Sequence, residues 1–256
     1  MTPGITSLTA GGEPAQTRLS LTFGRHHVPV ELAGDGVTIR VTRQDGSLHY
    51  VREGAGRTVE AVVAAAAPRL IVNPVEPVNQ PQPICSTFML RLTKTLLLEP
   101  KGSCKVFVTF PIEVGVFVAT RREVEMVDVF SLVPSKFALY GPIGSGKVCR
   151  YWKSDLHHTP PVTNPLRQGI VELNVRNTTS RWVTVGRAVF NAYGMKLFFN
   201  SEMVAMRAEC KITGPDMAET HFLDEPPQEG MKKSLEVYRL RRLSITASKF
   251  IMEHGI

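Results

Sequence analysis

Residues 87–118 read TFMLRLTKTLLLEPKGSCKVFVTFPIEVGVFV and indicate the class of fold. Apolar and polar side chains alternate through 87–92, 104–110 and 113–118, which is typical of strands that bury one face. Between the first two of these segments, Pro100-Lys-Gly102 supplies the residue types that favour a turn. The order of strand, turn, strand and strand predicts a β-sandwich.

The same alternation extends from this stretch in both directions. Toward the N-terminus, Val37–Arg43 and Ser47–Arg52 flank Asp45-Gly46, a pair that favours positive φ, so we predict a hairpin within an N-terminal meander. Toward the C-terminus, a second β block follows at 170–199. The sequence predicts an all-β protein with two antiparallel β-sandwich-like blocks, or one large sandwich, an N-terminal β-meander, and at most one or two short helices.

These patterns divide the chain into five parts. They are a flexible tail (1–17), the N-terminal β-meander (18–68), a first β-sandwich block (69–153), a second β-sandwich block (154–228) and a basic C-terminal segment (229–256). A chain of 256 residues, 43% of them hydrophobic, can bury a core without disulfides or a structural metal. We therefore expect one large or two small domains.

Three segments depart from the alternation. Four alanines favour a short helix that competes with a strand over Val59–Ala67, before Pro68. Four prolines in residues 73–83 predict an extended segment that cannot be a central strand, since proline lacks the ladder donor. Residues 229–243 fit a helix and a strand, and we favour one short helix.

Composition narrows the cellular setting. No run of about 18 apolar residues is present, so we expect no membrane span. Residues 1–17 lack the basic and apolar regions of a signal peptide. We therefore expect a cytoplasmic protein, in which the four cysteines, none of them in a C-x-x-C pair, are free thiols in or near the core. We expect no cofactor and no metal.

Basic residues concentrate at the C-terminus. The net charge is +7, and residues from Met231 onward carry six basic side chains against Glu236 and Glu253. We predict an electrostatic surface formed by Lys232, Lys233, Arg239, Arg241 and Arg242. An acidic protein or a nucleic acid could bind there, but a solvated face is favoured because no aromatic side chains are interleaved for base stacking.

Gly141-Pro-Ile-Gly-Ser-Gly-Lys147 satisfies the pattern G-x-x-x-x-G-K of a phosphate-binding loop. That loop needs a Ser or Thr after the lysine and a helix that begins there. Here Val148 follows, and the next residues are β-branched or aromatic. The segment is better interpreted as a β-hairpin with a glycine-rich turn, and we predict no nucleotide binding through it.

The segment after this turn concentrates aromatic and reactive side chains. We predict a ligand or partner surface formed by Arg150, Tyr151, Trp152, His157 and His158, with Trp152 and Arg150 facing solvent to stack on a sugar, a base or a partner. An alternative is an enzyme in which Cys149 is a nucleophile with His157 or His158 as its base, or a metal site at these histidines.

Several stretches together resemble a known family. They are Leu70-Ile-Val-Asn-Pro-Val-Glu-Pro-Val-Asn79, Phe110-Pro-Ile-Glu-Val-Gly-Val-Phe117, Leu139-Tyr-Gly141, Cys149-Arg-Tyr-Trp-Lys-Ser154, Asn191-Ala-Tyr-Gly-Met-Lys196 and Gly230-Met-Lys-Lys-Ser-Leu-Glu236. The set, over residues 35–256, resembles an archaeal family common in methanogens, the domain of unknown function four hundred and thirty-two. The resemblance implies an archaeal cytoplasmic protein, and it implies no activity, cofactor or site residue.

The functional expectation is a non-catalytic β-sandwich protein that binds or scaffolds a protein partner. The Cys149–His158 enzyme or metal site is one alternative. A polyanion or carbohydrate binder is another, with nucleic acid among its partners but not favoured. The sequence leaves the oligomeric state open.

Overall fold

The computed structural model describes residues 18–65, 68–80, 85–121, 123–237 and 248–251. In these residues the strands follow in chain order as β1 (Arg18–Ser20), β2 (Gly24–His26), β3 (Val30–Gly34), β4 (Val37–Gln44), β5 (Ser47–Glu53), β6 (Val59–Val63), β7 (Arg69–Val75), β8 (Thr87–Leu98), β9 (Ser103–Pro111), β10 (Glu113–Ala119), β11 (Val124–Phe130), β12 (Phe137–Tyr140), β13 (Lys147–Ser154), β14 (Gln168–Asn177), β15 (Val183–Asn191), β16 (Phe198–Phe199), β17 (Val204–Ile212), β18 (Met217–Leu223), β19 (Lys232–Lys233) and β20 (Ser248–Ile251). A 3₁₀ turn covers Ala192–Gly194. The predicted all-β class is confirmed.

The chain forms two compact units. Of the described residues, the first unit contains 18–21 and 27–65, and the second contains 22–26 and the described residues from 68 onward. The second unit thus takes β2 from within the N-terminal part of the chain. Among the described residues, no helix has the length and apolar character needed to cross a membrane.

The first unit is a meander whose sheet A has the order β1-β3-β4-β5-β6. The predicted hairpin is confirmed, because Asp45 (φ 50°) and Gly46 (φ 79°) form the turn between β4 and β5. Asp35 and Gly36 make the same kind of turn between β3 and β4. Positive φ at both central residues matches the right-handed twist of the flanking strands.

The helix considered over Val59–Ala67 is wrong for its first five residues. Val59–Val63 form β6, which pairs with β5 along its whole length. Three of these five residues are valines, whose branched side chains favour a pleated strand over a helix. Strand β6 pairs with the edge of β5 that β4 leaves free, and the residues of this segment alone do not reveal that partner.

Sheet B of the second unit has the order β11-β10-β7-β2. Strand β7 lies between β10 and β2, and it continues through Asn73, Pro74 and Val75, which pair with β10 alone. On the β2 side the pairing stops at Val72. Pro74 therefore lies beyond the reach of β2, where no ladder donor is needed on that side.

Sheets C and D of the second unit form a sandwich. Sheet C has the order β12-β13-β8-β15, and sheet D the order β19-β16-β17-β14-β9 with β18 and β20 continuing from β17. A core of buried side chains joins them, with Phe88 and Phe190 from sheet C and Val108, Leu173 and Met206 from sheet D. Strands of both predicted blocks take part in each sheet.

The sandwich is mixed, whereas antiparallel blocks were expected. Strand β8 pairs parallel with β13, and β14 pairs parallel with β17. Alternation along a strand reports which face is buried and carries no information on the direction of its neighbour. The direction is set by long connections, since four strands separate β8 from β13 and two separate β14 from β17 in the chain.

The basic C-terminal segment begins as a strand. Lys232 and Lys233 form β19 and pair with β16, so the favoured helix over 229–243 is wrong at these two residues. Residues 238–247 lie outside the described part of the chain.

Candidate anion-binding site on sheet C

Three basic side chains lie side by side on sheet C. Lys153 of β13 pairs with Arg91 of β8, and Arg91 pairs in turn with Arg187 of β15. Residues paired in this way point to the same face, with neighbouring strands about 4.8 Å apart. We call these three residues the cationic row. Like charges directly opposite each other destabilise a sheet, so the pair of Arg91 and Lys153 has an energetic cost in the protein alone.

A large bulge lies next to the cationic row. Arg187 pairs with Arg91, but Val185, two residues earlier, already pairs with Leu96. Gly186 alone therefore faces the four residues Leu92–Thr95 of β8. Extra residues on one strand bend it and redirect its side chains, and such bulges are common beside functional sites.

Bulge and row together line a concave pocket of about 400 Å³. Its lining consists of Met89, Arg91, Leu92, Thr93, Thr95, Tyr151, Lys153, Gly186 and Arg187. The volume lies in the range of small-molecule sites, roughly 300–1,000 Å³. The Thr93 hydroxyl donates to the carboxylate of Asp155, next to the rim. The lining itself contributes three cations and no carboxylate.

An apolar row borders the cations on the same face. Tyr151, Met89 and Val189 occupy the neighbouring register position, two residues along each strand. Met89 and Val189 are buried, and the half-buried Tyr151 packs against them. The pocket thus offers a charged side and an apolar, aromatic side.

Two members of the cationic row are available to a ligand. Arg91 and Lys153 are exposed, and neither takes part in an ion pair among the described residues. A guanidinium fork binds two oxygens of a carboxylate or phosphate at once, and an ammonium adds a compact charge. The arrangement can hold an anion that carries more than one negative charge.

Comparison with known proteins assigns the chain to a family. Residues 22–253 match the family described as "Protein of unknown function (DUF432)". The chain belongs to this family. The resemblance expected from the six stretches is thereby confirmed at the level of the family. No curated protein and no solved structure matched the chain.

A buried cluster of charged and polar side chains lies elsewhere in the second unit. It consists of Glu76, Asn79, Glu113 and Arg150, all nearly inaccessible to solvent. The backbone N–H of Asn79 donates to Glu113 Oε2 at 3.0 Å, and the side-chain Nδ2 of Asn79 donates to the Glu76 backbone carbonyl at 2.6 Å. Within the described part of the chain, the Arg150 guanidinium nitrogens have no hydrogen-bond partner.

Burial controls the titration of this cluster. Desolvation raises the pKa of Glu76 to about 8, and the nearby charges of Glu236 and Glu113 add to the rise. Desolvation also raises the pKa of Glu113 to about 7, although Asn79 and the charge of Arg150 oppose the shift. The pKa of Arg150 is lowered by its own burial. Both glutamates therefore hold a proton at pH values where exposed carboxylates are ionised.

The predicted surface residues of β13 separate onto two faces. Tyr151 lies on the outer face of sheet C and lines the pocket. Arg150 and Trp152, expected to face solvent, point the other way: Arg150 is 1% exposed and Trp152 packs against the sandwich core. The Trp152 indole donates to Thr109 Oγ1 at 3.1 Å. Stacking of a ligand on Trp152 or Arg150 is not available in this structure.

The enzyme and metal alternatives involve residues that are not in the pocket lining. Cys149 Sγ donates to the Ala138 carbonyl at 3.2 Å, and burial raises the pKa of this thiol to about 11. His157 pairs through its backbone with Phe107 of β9, and His158 is exposed in the following loop. Among the described residues, no group of three or more metal-ligating side chains is suitably placed for a metal ion.

The predicted electrostatic surface is seen only in part. Lys232 is exposed, and Lys233 forms ion pairs with Asp224 and Glu236. Arg239, Arg241 and Arg242 lie outside the described residues.

The glycine-rich segment is the hairpin turn that its sequence predicts. Strands β12 and β13 pair antiparallel on either side of it, and Lys147 begins a strand. Its backbone does not lead into the helix that a phosphate-binding loop requires.

Sequence reasoning missed the buried charged cluster, since it expected Arg150 to face solvent, and it named only Tyr151 among the residues that line the pocket. Arg91, Lys153 and Arg187 each look like an ordinary outward-facing residue of a strand. A signal for the cluster was present at Glu113, a lone carboxylate inside the apolar run Phe110–Val118. Such a residue needs a buried partner, because an isolated buried charge is strongly unfavourable.

Proposed function

We propose that the protein is a non-catalytic binding protein that holds a multiply charged anion in the pocket on sheet C. The observation that carries the proposal is the cationic row, three basic residues paired across three neighbouring strands. Arg91 and Lys153 are exposed and form no ion pair among the described residues, and the repulsion between these two is relieved when an anion binds between them. The lining has none of the histidine, cysteine or carboxylate side chains that usually transfer protons in catalysis.

The test is calorimetric titration with citrate and with pyrophosphate, at ~20 mM and ~200 mM NaCl to reveal screening. We expect binding to weaken at the higher salt concentration. The double variant Arg91→Gln/Lys153→Gln removes two members of the row, and we expect at least about tenfold weaker binding, since a charged hydrogen bond contributes roughly 1.5–3 kcal/mol.

The matched control is Lys136→Gln/Lys147→Gln. It removes the same net charge from exposed lysines at or beside the same sheet, outside the pocket lining. We expect the control to retain binding. Equal losses in both double variants, or no binding of either anion by the unchanged protein, would contradict the proposal.

A protein partner is a second proposed function, supported by the β12–β13 hairpin. Phe137, Leu139, Ile143 and Val148 are exposed there, with Ile143 90% accessible. Exposed apolar clusters mark interaction surfaces. Because Lys136 and Lys147 border the cluster, the partner that fits is a protein with an acidic rim around an apolar centre.

This second function is tested with a photo-cross-linking residue in place of Ile143 in the source cells. The partner that the cross-link identifies is then prepared separately, and its binding to the unchanged chain and to the Leu139→Asp variant is measured by titration. We expect saturable binding that the variant loses and the Lys94→Gln control retains. A purified protein that binds the Leu139→Asp variant equally well would refute this use of the hairpin.

We also propose a cytoplasmic location. The support is the state of the cysteines, since Cys85, Cys104, Cys149 and Cys210 are all free thiols. Free thiols persist in reducing compartments. Fractionation of the source cells is the direct measurement, and recovery in an exported fraction would refute the location.

A further inference from the structure

Strand β12 is the outermost strand of sheet C, and among the described residues no strand pairs with its other edge. Its four residues, Phe137–Tyr140, include no charged residue and no proline. Proteins commonly protect an exposed sheet edge with such residues, because the unpaired backbone groups of the edge can pair with another chain. The outer edge of β12 therefore carries none of this protection along its own length.

The pairing of β12 with β13 shows which backbone groups face this outer edge. The Tyr151 N–H donates to the Lys136 carbonyl at 2.8 Å, one residue before β12 begins. In an antiparallel ladder, residue pairs that exchange hydrogen bonds alternate with pairs that do not. Ala138 therefore bonds to β13, whereas the N–H and C=O groups of Phe137 and Leu139 point to the outer edge.

The side chains of these two residues form an apolar strip beside the edge. Phe137 and Leu139 lie on one face of β12 and are 39% and 38% exposed. Val148 of β13 stands directly opposite Leu139 and is exposed on the same face. The Arg150 guanidinium carbon lies 5.7 Å from the centre of the Phe137 ring, a contact that leaves part of the ring accessible. A strand that pairs with the edge places every second side chain beside this strip.

The charge of the hairpin has one sign. Lys147 stands opposite Tyr140 on the face away from the apolar strip, and Lys136 immediately precedes β12. Both lysines are exposed, and residues 133–148 contain no Asp or Glu. Because successive side chains of a strand point to opposite faces, the complementary strand has apolar residues on one face and acidic residues on the other.

We propose that an extended segment of a partner protein pairs with the outer edge of β12 and becomes the fifth strand of sheet C. This inference rests on the protein-binding function proposed for the hairpin and specifies the form of the partner, a strand that alternates apolar and acidic residues. Its backbone bonds to Phe137 and Leu139, which contributes affinity, and its alternate side chains contribute specificity. A helix uses its own backbone groups internally, so it would leave those of the edge unpaired.

Two synthetic peptides of identical composition test the alternation. The peptide EVEIEVE alternates acidic and apolar residues, whereas EEVIVEE has the same charge and contiguous apolar residues. Each is titrated into the isotope-labelled full chain, and binding is followed by NMR. We expect saturable binding of EVEIEVE, at least about fivefold tighter than that of EEVIVEE, since only the alternating peptide matches both faces of the hairpin.

Backbone methylation separates strand pairing from side-chain contact. Successive N–H groups of a strand point to opposite edges, so EVEIEVE with N-methyl groups on both valines is compared with EVEIEVE methylated on its two central glutamates. One of them should lose binding, according to the direction of the added strand, and the other should retain it. Equal affinities of the two methylated peptides would refute pairing with the edge.

Amide exchange locates the added strand. On saturation with EVEIEVE, the Phe137 and Leu139 amides should exchange at least about fivefold more slowly, while the Ala138 amide, already bonded to β13, should be unchanged. Leu139→Asp should weaken binding at least about tenfold, because it places a charge on the apolar strip and repels the acidic peptide. The control Lys94→Gln changes an exposed residue of β8 and should retain binding.

The outcomes distinguish this inference from the proposed function of the hairpin. If the partner identified by the cross-link at Ile143 requires Leu139 but EVEIEVE binds no better than EEVIVEE, the protein-binding function stands and the added strand is refuted. If neither the partner nor a peptide requires Leu139, both fail. Self-association of the chain that Leu139→Asp abolishes would assign the edge to a second copy and overturn the partner strand.

Discussion

Glu76 and Glu113 keep their protons at pH values where glutamates in water have lost them. Both carboxyl groups are removed from solvent, and a neutral carboxyl group is easier to bury than a charged one. Arg150 lies near enough to moderate the effect on Glu113 but does not reverse it. Protons bound to the folded state are therefore part of what stabilises the second unit.

The first prediction concerns the pH dependence of stability. A carboxyl group whose pKa is higher in the folded state contributes its full stability below the unfolded pKa of 4.5, and this contribution falls as pH rises toward the folded pKa of about 8. We therefore expect the urea midpoint to decrease between pH 5 and pH 8. Glu113, with a folded pKa of about 7, adds to the decrease.

The Glu76→Gln variant tests whether Glu76 causes this pH dependence of stability. Glutamine has the shape of the protonated glutamate and no proton to lose, so we expect the variant to be more stable at pH 8.5 by on the order of 3 kcal/mol. Below pH 5 the two proteins should be close in stability. Parallel curves for both proteins across the whole range would show that Glu76 does not hold the proton.

At the scale of the element, sheet C carries two exposed cations in direct register. Lys153 and Arg91 face each other across β13 and β8, and cross-strand like charges destabilise by roughly 0.2–1 kcal/mol per pair. A surface selected only for stability would place opposite charges here.

The second prediction follows from this repulsion. Arg91→Gln should raise the free energy of unfolding of the ligand-free protein by about 0.5 kcal/mol at low salt, because the central charge of the row is removed. The gain should shrink as salt screens the row. Lys147→Gln, on the same strand pair but outside the row, should leave stability within about 0.3 kcal/mol. A loss of stability in Arg91→Gln would mean that the arginine stabilises the sheet.

In sheet A, the turn that follows β5 approaches the turn between β3 and β4 closely at Gly54. Its φ is +97°, and a Cβ built there would lie 2.3 Å from the carbonyl oxygen of Gly36. Gly56 also has a positive φ, +86°, but nothing lies within 4 Å of the corresponding position. The two glycines therefore separate backbone strain from steric conflict.

The third prediction uses this pair. Gly56→Ala should lose about 1 kcal/mol through the backbone conformation alone. Gly54→Ala should lose at least about 2 kcal/mol more, since the turn at Gly36 must move away. Chemical denaturation of both variants gives the comparison, and equal losses would show that the turn relaxes freely.

At the scale of the whole molecule, the reactivity of the cysteine thiols measures the opening of the folded structure. Cys85, Cys149 and Cys210 are buried, and Cys104 is partly exposed. Burial raises the pKa of Cys149 to about 11 and that of Cys210 to about 12. A thiol that is both inaccessible and protonated does not react, because the thiolate is the nucleophile.

The fourth prediction is a two-phase reaction with an aromatic disulfide reagent. One thiol, Cys104, should react within the mixing time or shortly after, and three should react only as the protein opens. All four should react at once in denaturant. Cys104→Ser should abolish the fast phase and leave the slow one unchanged. More than one fast thiol in the native protein would contradict the burial of the other three.

Much of the fold was predictable from local sequence. Period-two alternation marked the strands, and Asp45-Gly46 identified the β4–β5 turn, because both signals arise from neighbouring residues. The errors occurred where a distant partner decided the outcome. Val59–Val63 became a strand because the edge of β5 was free, and β8 and β13 pair parallel where antiparallel strands were expected.

The site shows the same division. The sequence by itself predicted the all-β class and, through the six stretches that resemble it, the family. Only the tertiary structure brought Lys153, Arg91 and Arg187 into one row and Glu76, Glu113 and Arg150 into one cluster. Alternation states which face of a strand a residue occupies. Register and strand direction decide which residues stand opposite it, and these depend on pairings between segments up to about a hundred residues apart.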